Sequence, residues 1–176
     1  YLAATIMNIS KVTTKEELAN SIILQKSDLM HIVDLLNNNE TNLFMFSIIS
    51  ITELSKILSI STSFSELNVS SSLYNIAIDS FQRCQEEQNE TTNNNDEKDH
   101  IDSSINASVE RDMNLLEAIM GAWVVLSTNV NNRPSFIQSK GLELCVNILN
   151  WDQATDTLLH RTLNTIWRSC IYSSST

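Results

Sequence analysis

Apolar residues recur at helical spacing along most of this chain, and one helical phrase occurs twice. Ile23 and the apolar positions 24, 29, 33 and 36 are repeated at Phe136 and positions 137, 142, 146 and 149, at a constant offset of 113 residues. Apolar positions at i, i+4 and i+7 predict amphipathic helices, and a repeated unit predicts stacked helical layers. Because one unit cannot bury its apolar face alone, we expect an extended stack with a long groove.

The same periodicity sets the order of the helices. Helices are predicted at about residues 1–10, 15–24, 28–37, 41–59, 70–84, 110–128, 141–150 and 155–172. Residues 61–68 are predicted as a short helix or turn, and Pro134 as the first-turn proline of another short helix. The turn before it spans residues 129–132. Grouped in threes, these segments form units of a short, a medium and a long helix.

A polar stretch interrupts this pattern at about residues 85–109. Residues 85–100 include no apolar side chain, and residues 86–102 hold seven acids and one base, Lys98. Such a segment cannot repay its ordering entropy by burial, so we predict a single domain over 1–176 with a disordered, acidic, Asn-rich insertion. The insertion is either a flexible spacer at the edge of a repeat or a flexible acidic segment that speeds the association of basic partners.

The ends of the long helices share a phrase that resembles the third helix of an armadillo repeat. Ile6–Ser10, Ile51–Ser55 and Trp123–Ser127 approach its Leu-x-Asn-Leu-Ser consensus, and residues 166–169 do so more weakly. The spacings of 45, 72 and 43 residues fit a helical repeat of roughly 40–47 residues, with about 29 extra residues in the middle interval. This predicts an all-α, right-handed α-solenoid of about three to four armadillo-like repeats, truncated at its N-terminus.

Two junctions resemble one armadillo-like family in particular, the beta-catenin-like protein 1 family. They are residues 36–42 leading into 48–55, and residues 111–116 leading through Asn132-Arg133-Pro134 into Gly141. The resemblance implies a nuclear scaffold of the pre-mRNA splicing machinery, or spliceosome, that binds basic segments of partner proteins. The alternative is a cargo or assembly adaptor of the same fold, of the nuclear transport or chaperone type, for which a cytoplasmic location is also open.

Composition narrows the choice of partner. The net charge is −10 and the pI is about 4.6, so we expect other proteins with Lys/Arg-rich segments as partners and no direct nucleic acid. No apolar run approaches the ~20 residues that span a bilayer, and we expect no membrane partner. Because the chain begins at Tyr1 within a helical pattern, we expect a piece of a longer protein whose exposed repeat ends could self-associate.

The residues give little support to catalysis. Three His and three Cys lie without paired metal-ligand spacing, and two Gly cannot build a phosphate-binding loop. The three Cys are on apolar helix faces, where buried thiols are typical. We therefore predict a protein that is not an enzyme and holds no cofactor or metal.

Candidate partner-binding residues follow from the third-helix phrase. In groove-binding armadillo proteins, Asn side chains on the third helices clamp an extended peptide; here the corresponding positions hold Asn8, Glu53, Val125 and Arg168. Because only Asn8 retains the amide, a transport-receptor clamp is not expected. Trp123 and Trp167 recur 44 residues apart and are either packing residues or groove anchors. Glu53 with Lys56 is either a solvated pair or part of the groove. The candidates are Asn8, Glu53, Lys56, Trp123, Trp167 and Arg168.

Overall fold

The structure is a computed structural model that describes residues 25–37, 41–93 and 102–170. Within these ranges the chain is all-α and has no strand, which confirms the all-α part of the predicted fold class. The helices are α1 (Lys26–Asp34), α2 (Thr41–Leu54), α3 (Leu58–Glu66), α4 (Val69–Asn93), α5 (Asp102–Leu126), α6 (Arg133–Gln138), α7 (Gly141–Leu149) and α8 (Asp156–Cys170). Two 3₁₀ turns lie at Leu35–Asn37 and Val130–Asn132. The helices predicted at 1–10 and 15–24, and with them Asn8, lie outside the described residues.

The long helix predicted at 41–59 is divided in the structure. Helix α2 ends at Leu54, and Ile57 adopts an extended backbone (φ −94°, ψ 116°) as the residue before α3. The Ile57 side chain is buried, so the break has an apolar anchor. Neither Gly nor Pro marks this position, and the sequence alone therefore gave no signal for it.

Helices α4 and α5 form an antiparallel hairpin that reaches into the predicted insertion. Residues 85–93 and 102–109 are helical, whereas we expected them in a disordered loop. Two contacts explain the difference. Arg83 donates two hydrogen bonds to the carboxylate of Asp112, at 2.8 and 2.9 Å, and Ser108 donates to the carboxylate of Glu87 at 2.6 and 2.7 Å. Cross-helix pairs of this kind order a polar segment without apolar burial.

The hairpin is longer than its neighbours. Helix α5 has 25 residues, whereas α2 has 14 and α8 has 15. In the register of the third-helix phrase, the first residues of α2 and α8 both correspond to Met113 of α5. The first 11 residues of α5 are thus an extension of about 16 Å beyond the neighbouring helices. The 72-residue interval between the phrases of α2 and α5 is therefore lengthened in part by helical residues.

Helices α2, α5 and α8 carry the third-helix phrase, and we call them the long helices. They lie side by side, with α5 in contact with α2 and with α8. Each of them also packs on the helix that precedes it, α2 on α1, α5 on α4 and α8 on α7. The core between them is apolar, and Trp123 and Phe136 meet edge to face in it with ring centroids 4.8 Å apart. Thus the long helices form one continuous row.

The turn between α5 and α6 binds the row to α3 through buried amides. The side-chain amide of Asn132 donates to the carbonyl of Ser61 (3.2 Å), the hydroxyl of Ser61 (3.0 Å) and the carbonyl of Leu126 (3.1 Å). Asn129 donates to the hydroxyl of Thr62 at 3.0 Å. Pro134 lies in the first turn of α6, as predicted from its position. Buried amides with partners of this kind fix the angle at which α6 leaves α5.

Two thiols are buried, and we expect them to be unreactive in the folded protein. Burial raises the pKa of Cys84 to about 11 and that of Cys145 to about 12, whereas Cys170 is exposed. At pH 8, dithionitrobenzoate should modify Cys170 readily and the other two at least about 100-fold more slowly, because only the thiolate reacts. Modification of all three thiols at one rate would contradict this burial. In the unfolded chain these thiols deprotonate near pH 9, whereas in the folded protein they keep their protons up to about pH 11 and 12. The free energy of unfolding should therefore fall as the pH rises from about 9 to 12.

Candidate functional site

The long helices α2, α5 and α8 border a single open groove with a cavity of about 430 Å³. All three helices contribute residues to its lining. They are Ile48, Ile49, Thr52 and Glu53 of α2, Ala118, Gly121 and Val124 of α5, and His160, Arg161 and Asn164 of α8. A concave, mostly apolar surface with a few convergent polar groups is the usual form of a binding site. We refer to these ten residues as the groove.

Equivalent positions of the three helices lie in rows across the groove. Thr52 and Val124 are separated by 72 residues, and Trp167 follows Val124 by 43 residues. Ile49, Gly121 and Asn164 are spaced by 72 and 43 residues as well. These are the spacings of the third-helix phrase, so the repeat that is visible in the sequence positions the groove. A surface built in this way can follow an extended chain across successive helices.

Gly121 makes room for a guanidinium group at the floor of the groove. A Cβ atom at Gly121 would lie 3.3 Å from Nη1 of Arg161, which approaches α5 closely enough to donate a hydrogen bond to the carbonyl of Glu117. Arg161 thereby joins α8 to α5 while its side chain remains partly exposed. Glu117 is held from α8 as well, because the hydroxyl of Thr155 donates to its carboxylate.

The start of α8 is fixed by the same threonine. The Thr155 hydroxyl accepts a hydrogen bond from the amide of Leu158 at 3.1 Å, which caps the helix. One side chain thus caps α8 and binds α5. The helix that carries His160, Arg161 and Asn164 is therefore held in a defined position against the floor of the groove.

The polar groups of the groove differ between its two sides. On the α2 side, Glu53 forms an ion pair with Lys56 one turn later, and both side chains are partly exposed. On the α8 side, Arg161 and the Asn164 amide present donors, and Asn164 donates to the carbonyl of His160 at 3.0 Å. A ligand therefore meets an acid on one side and hydrogen-bond donors on the other.

The structure places the candidate residues in different surroundings. Glu53 lines the groove, with Lys56 paired to it at its edge. Trp167 is 62% exposed, in the same row as Thr52 and Val124. Arg168 is partly buried and donates to the carbonyl of Val124 at 3.4 Å, so it serves the contact between α8 and α5.

Trp123 is a correction to the candidate set. It is 1% exposed and stacks on Phe136, so it belongs to the core and offers no surface to a partner. Of the two roles left open for it, packing is the one it has. Its position explains this: Trp123 precedes the groove residue Val124 by one residue, and one step along a helix turns a side chain by about 100°.

Sequence reasoning missed several groove residues. Ile49, Gly121, Arg161 and Asn164 were not among the candidates, although the row spacing contains three of them. The consensus Asn of the third-helix phrase leads to Glu53, Val125 and Arg168 instead. Moving that register by three or four residues, one helical turn, would have found the row of Ile49, Gly121 and Asn164.

A smaller cavity of about 260 Å³ lies beside the α5 extension. It is lined by Met45 of α2 and by Ala107, Glu110, Arg111, Asn114 and Leu115 of α5. The extension therefore forms a wall next to the first turns of α2, with one acid and one base on it.

Neither a metal centre nor a membrane span is found in the part of the chain that the structure describes. Within residues 25–37, 41–93 and 102–170, no three His, Cys, Asp or Glu side chains come together as possible metal ligands. None of the helices described is both long and apolar enough to cross a bilayer. No protein-family model, curated protein or solved structure matches this chain.

Proposed function

We propose that this protein is a non-catalytic scaffold whose groove binds an extended segment of a partner protein. The observation that supports this most is the rows of equivalent positions, which run across three adjacent helices and open to solvent. Apolar side chains of the partner would lie on Ile49 and Val124, which are partly exposed. Arg161 and Asn164 have the donors that a peptide carbonyl requires.

The partner segment in this proposal is basic as well as apolar. A net charge of −10 attracts cationic segments over a distance of about one Debye length, and Glu53 supplies a carboxylate at the groove itself. Because Lys56 already pairs with Glu53, the incoming cation competes with an exposed side chain that is easily displaced. Binding should therefore weaken with salt.

The architecture we propose is an armadillo-like α-solenoid of three-helix layers. Its support is the order of short, medium and long helices, the contacts of α5 with α2 and α8, and the recurring 72- and 43-residue spacings. In this proposal the α4–α5 hairpin is the expanded middle layer. A role in pre-mRNA splicing and a nuclear location remain predictions from the family resemblance, with the cargo or assembly adaptor as the alternative.

Filling the groove should weaken peptide binding. Thr52 is suited to this test, because it lines the groove and its hydroxyl donates a hydrogen bond to the carbonyl of Ile48 within its own helix (2.7 Å). The probe is a set of fluorescent 15-residue peptides that combine Leu with Lys or Arg, read by fluorescence anisotropy. Thr52→Trp should raise their Kd at least about 30-fold, since displaced hot-spot contacts cost about 2 kcal/mol or more.

The matched control is Asn75→Trp on the exposed side of α4, which adds the same side chain outside the groove. It should leave the Kd unchanged. Peptides with Glu in place of Lys or Arg should bind more weakly at 50 mM salt, and the difference should shrink at 300 mM. Equal effects of the two tryptophans, or no preference for the basic peptides at low salt, would contradict the proposal.

A further inference from the structure

The far side of α8 exposes a position that is buried in both α2 and α5. Ile48 of α2 and Met120 of α5 are 1% and 0% exposed, and their equivalent in α8, 43 residues after Met120, is Leu163 at 55%. Leu116 is fully buried, whereas its equivalent Leu159 is partly exposed. The next helix of the row covers this side of α2 and α5. No described helix covers it in α8.

Helix α7 shows the same change. The repeated phrase places Val33 of α1 and Val146 of α7 at equivalent positions, and they are 7% and 52% exposed. Leu29 is buried and its equivalent Leu142 is partly exposed. Two helices of one layer thus leave the same side open. We call this surface, formed by Leu142, Val146, Leu159 and Leu163, the open face.

The structure also shows what kind of helix covers such a face. Each long helix also has a largely buried side of four residues, which begins with a leucine and continues 4, 7 and 11 residues later. These residues are Leu43, Ser47, Ser50 and Leu54 in α2; Leu115, Ile119, Ala122 and Leu126 in α5; and Leu158, Thr162, Thr165 and Ser169 in α8. The third member is always small. Thr165 of α8 reaches the carbonyl of Met120 at 3.5 Å, so this side of α8 lies on the side of α5 that carries Met120.

We infer that the open face is completed by a further helical layer of the same kind. Its long helix would begin its contact with Leu and place Ser, Ala or Thr seven residues later, over Leu163. This continues an interface that the chain already forms twice, between α2 and α5 and between α5 and α8. The inference rests on the layered architecture proposed above and is independent of what the groove binds.

Two of the three hydroxyl groups on this side of α8 are satisfied within the helix, whereas the hydroxyl of Ser169 has no hydrogen-bond partner within the described residues. Thr162 donates to the carbonyl of Leu158 at 2.7 Å and Thr165 to that of Arg161 at 2.9 Å, both within α8. Threonines at these two positions can therefore be buried against leucine and methionine without partners from the other helix. A small residue at the third position also allows close approach of the two axes.

The 43-residue spacing allows a direct test with an added layer. Residues 128–170 are repeated once more after Cys170, which keeps the register, and residues 171–176 follow. If the face accepts a layer, the longer chain should unfold in one transition with a midpoint about 5 °C or more above that of the original chain. Binding of the dye ANS should fall per molecule, because Leu163 and Val146 become covered.

Two substitutions on the exposed side keep the test falsifiable. Leu163→Asp or Val146→Asp in the original layer should abolish the gain in midpoint, yet change the midpoint of the original chain little, since both side chains are more than half exposed. Amides of the added segment should exchange slowly in the longer chain and rapidly in its L163D form. An added segment that exchanges rapidly throughout would overturn the inference.

A second copy is the competing occupant. Sedimentation velocity of the original chain at micromolar concentration should show a monomer. A stable dimer that Leu163→Asp converts to a monomer would assign the face to a second copy and overturn the inference. These readouts are stability and mass, so they fail or succeed separately from the peptide-binding test of the groove.

Discussion

Trp123→Ala is expected to cost about 3–5 kcal/mol of folding free energy, the range for removing a large aromatic side chain from a core. Trp123 is 1% exposed and in edge-to-face contact with Phe136, which lies in the next short helix, α6. Its loss would leave a cavity where α5 meets α6. Since small domains have only about 5–15 kcal/mol in total, this loss removes a large part of the folding free energy. Urea denaturation followed by circular dichroism measures the change.

Trp167→Ala is the matched control, because Trp167 occupies the recurring position 44 residues later yet is 62% exposed. We expect it to alter stability by no more than about 0.5 kcal/mol. A smaller replacement at the first site adds a second control. Trp123→Phe should cost less than the alanine, since the Trp123 indole nitrogen has no hydrogen-bond partner within the described residues. Equal losses of stability from W123A and W167A would contradict the burial of Trp123 and the exposure of Trp167.

Gly141→Ala should destabilise the protein by roughly 3 kcal/mol, near the upper end of overpacking effects. A Cβ atom there would lie 2.1 Å from Cε2 of Phe136, and 2.4 and 2.6 Å from two further ring carbons. Phe136 cannot move aside freely because its ring packs on Trp123. The side chain of Phe136 and the first turn of α7 must therefore separate. Thermal unfolding monitored by circular dichroism should show a midpoint about 6–12 °C lower.

The only other glycine of the chain provides the control. At Gly121 an added Cβ meets Nη1 of Arg161 at 3.3 Å, the mobile end of a long side chain. Gly121 lies in the interior of α5, where alanine is favoured over glycine by about 1 kcal/mol. Gly121→Ala should therefore leave stability unchanged or raise it by up to about 1 kcal/mol. Similar losses at both glycines would mean that Phe136 does not lie against Gly141.

The elements that repeat were the ones that could be predicted from the sequence. Helices α7 and α8 begin and end within about two residues of the predicted bounds, because their apolar spacing is regular. Helix α1 does so when the 3₁₀ turn Leu35–Asn37 that continues it is included. Pro134 likewise located the start of α6. Regular apolar spacing reports burial on one side, and burial is what the layered contacts supply.

The hairpin and the groove required the structure. The helical turns at 85–93 and 102–109 depend on pairs such as Arg83–Asp112, which join residues 29 positions apart that no local pattern connects. Composition alone predicts disorder for such a segment. In the groove, Arg161 is positioned by the absence of a side chain at Gly121, 40 residues earlier. Contacts of this kind are decided by packing between helices and leave no periodic trace.

Crosslinking from the groove tests the central claim most directly. A photoreactive benzoylphenylalanine is introduced at position 52 or, as the control, at position 75 of the full-length protein. The protein is irradiated in an extract of its source cells, and crosslinked peptides are identified by mass spectrometry. We predict crosslinks from position 52 to one partner segment that contains both apolar and Lys or Arg residues, and none to that segment from position 75. Crosslinks to the segment from position 75 with none from position 52 would contradict the account.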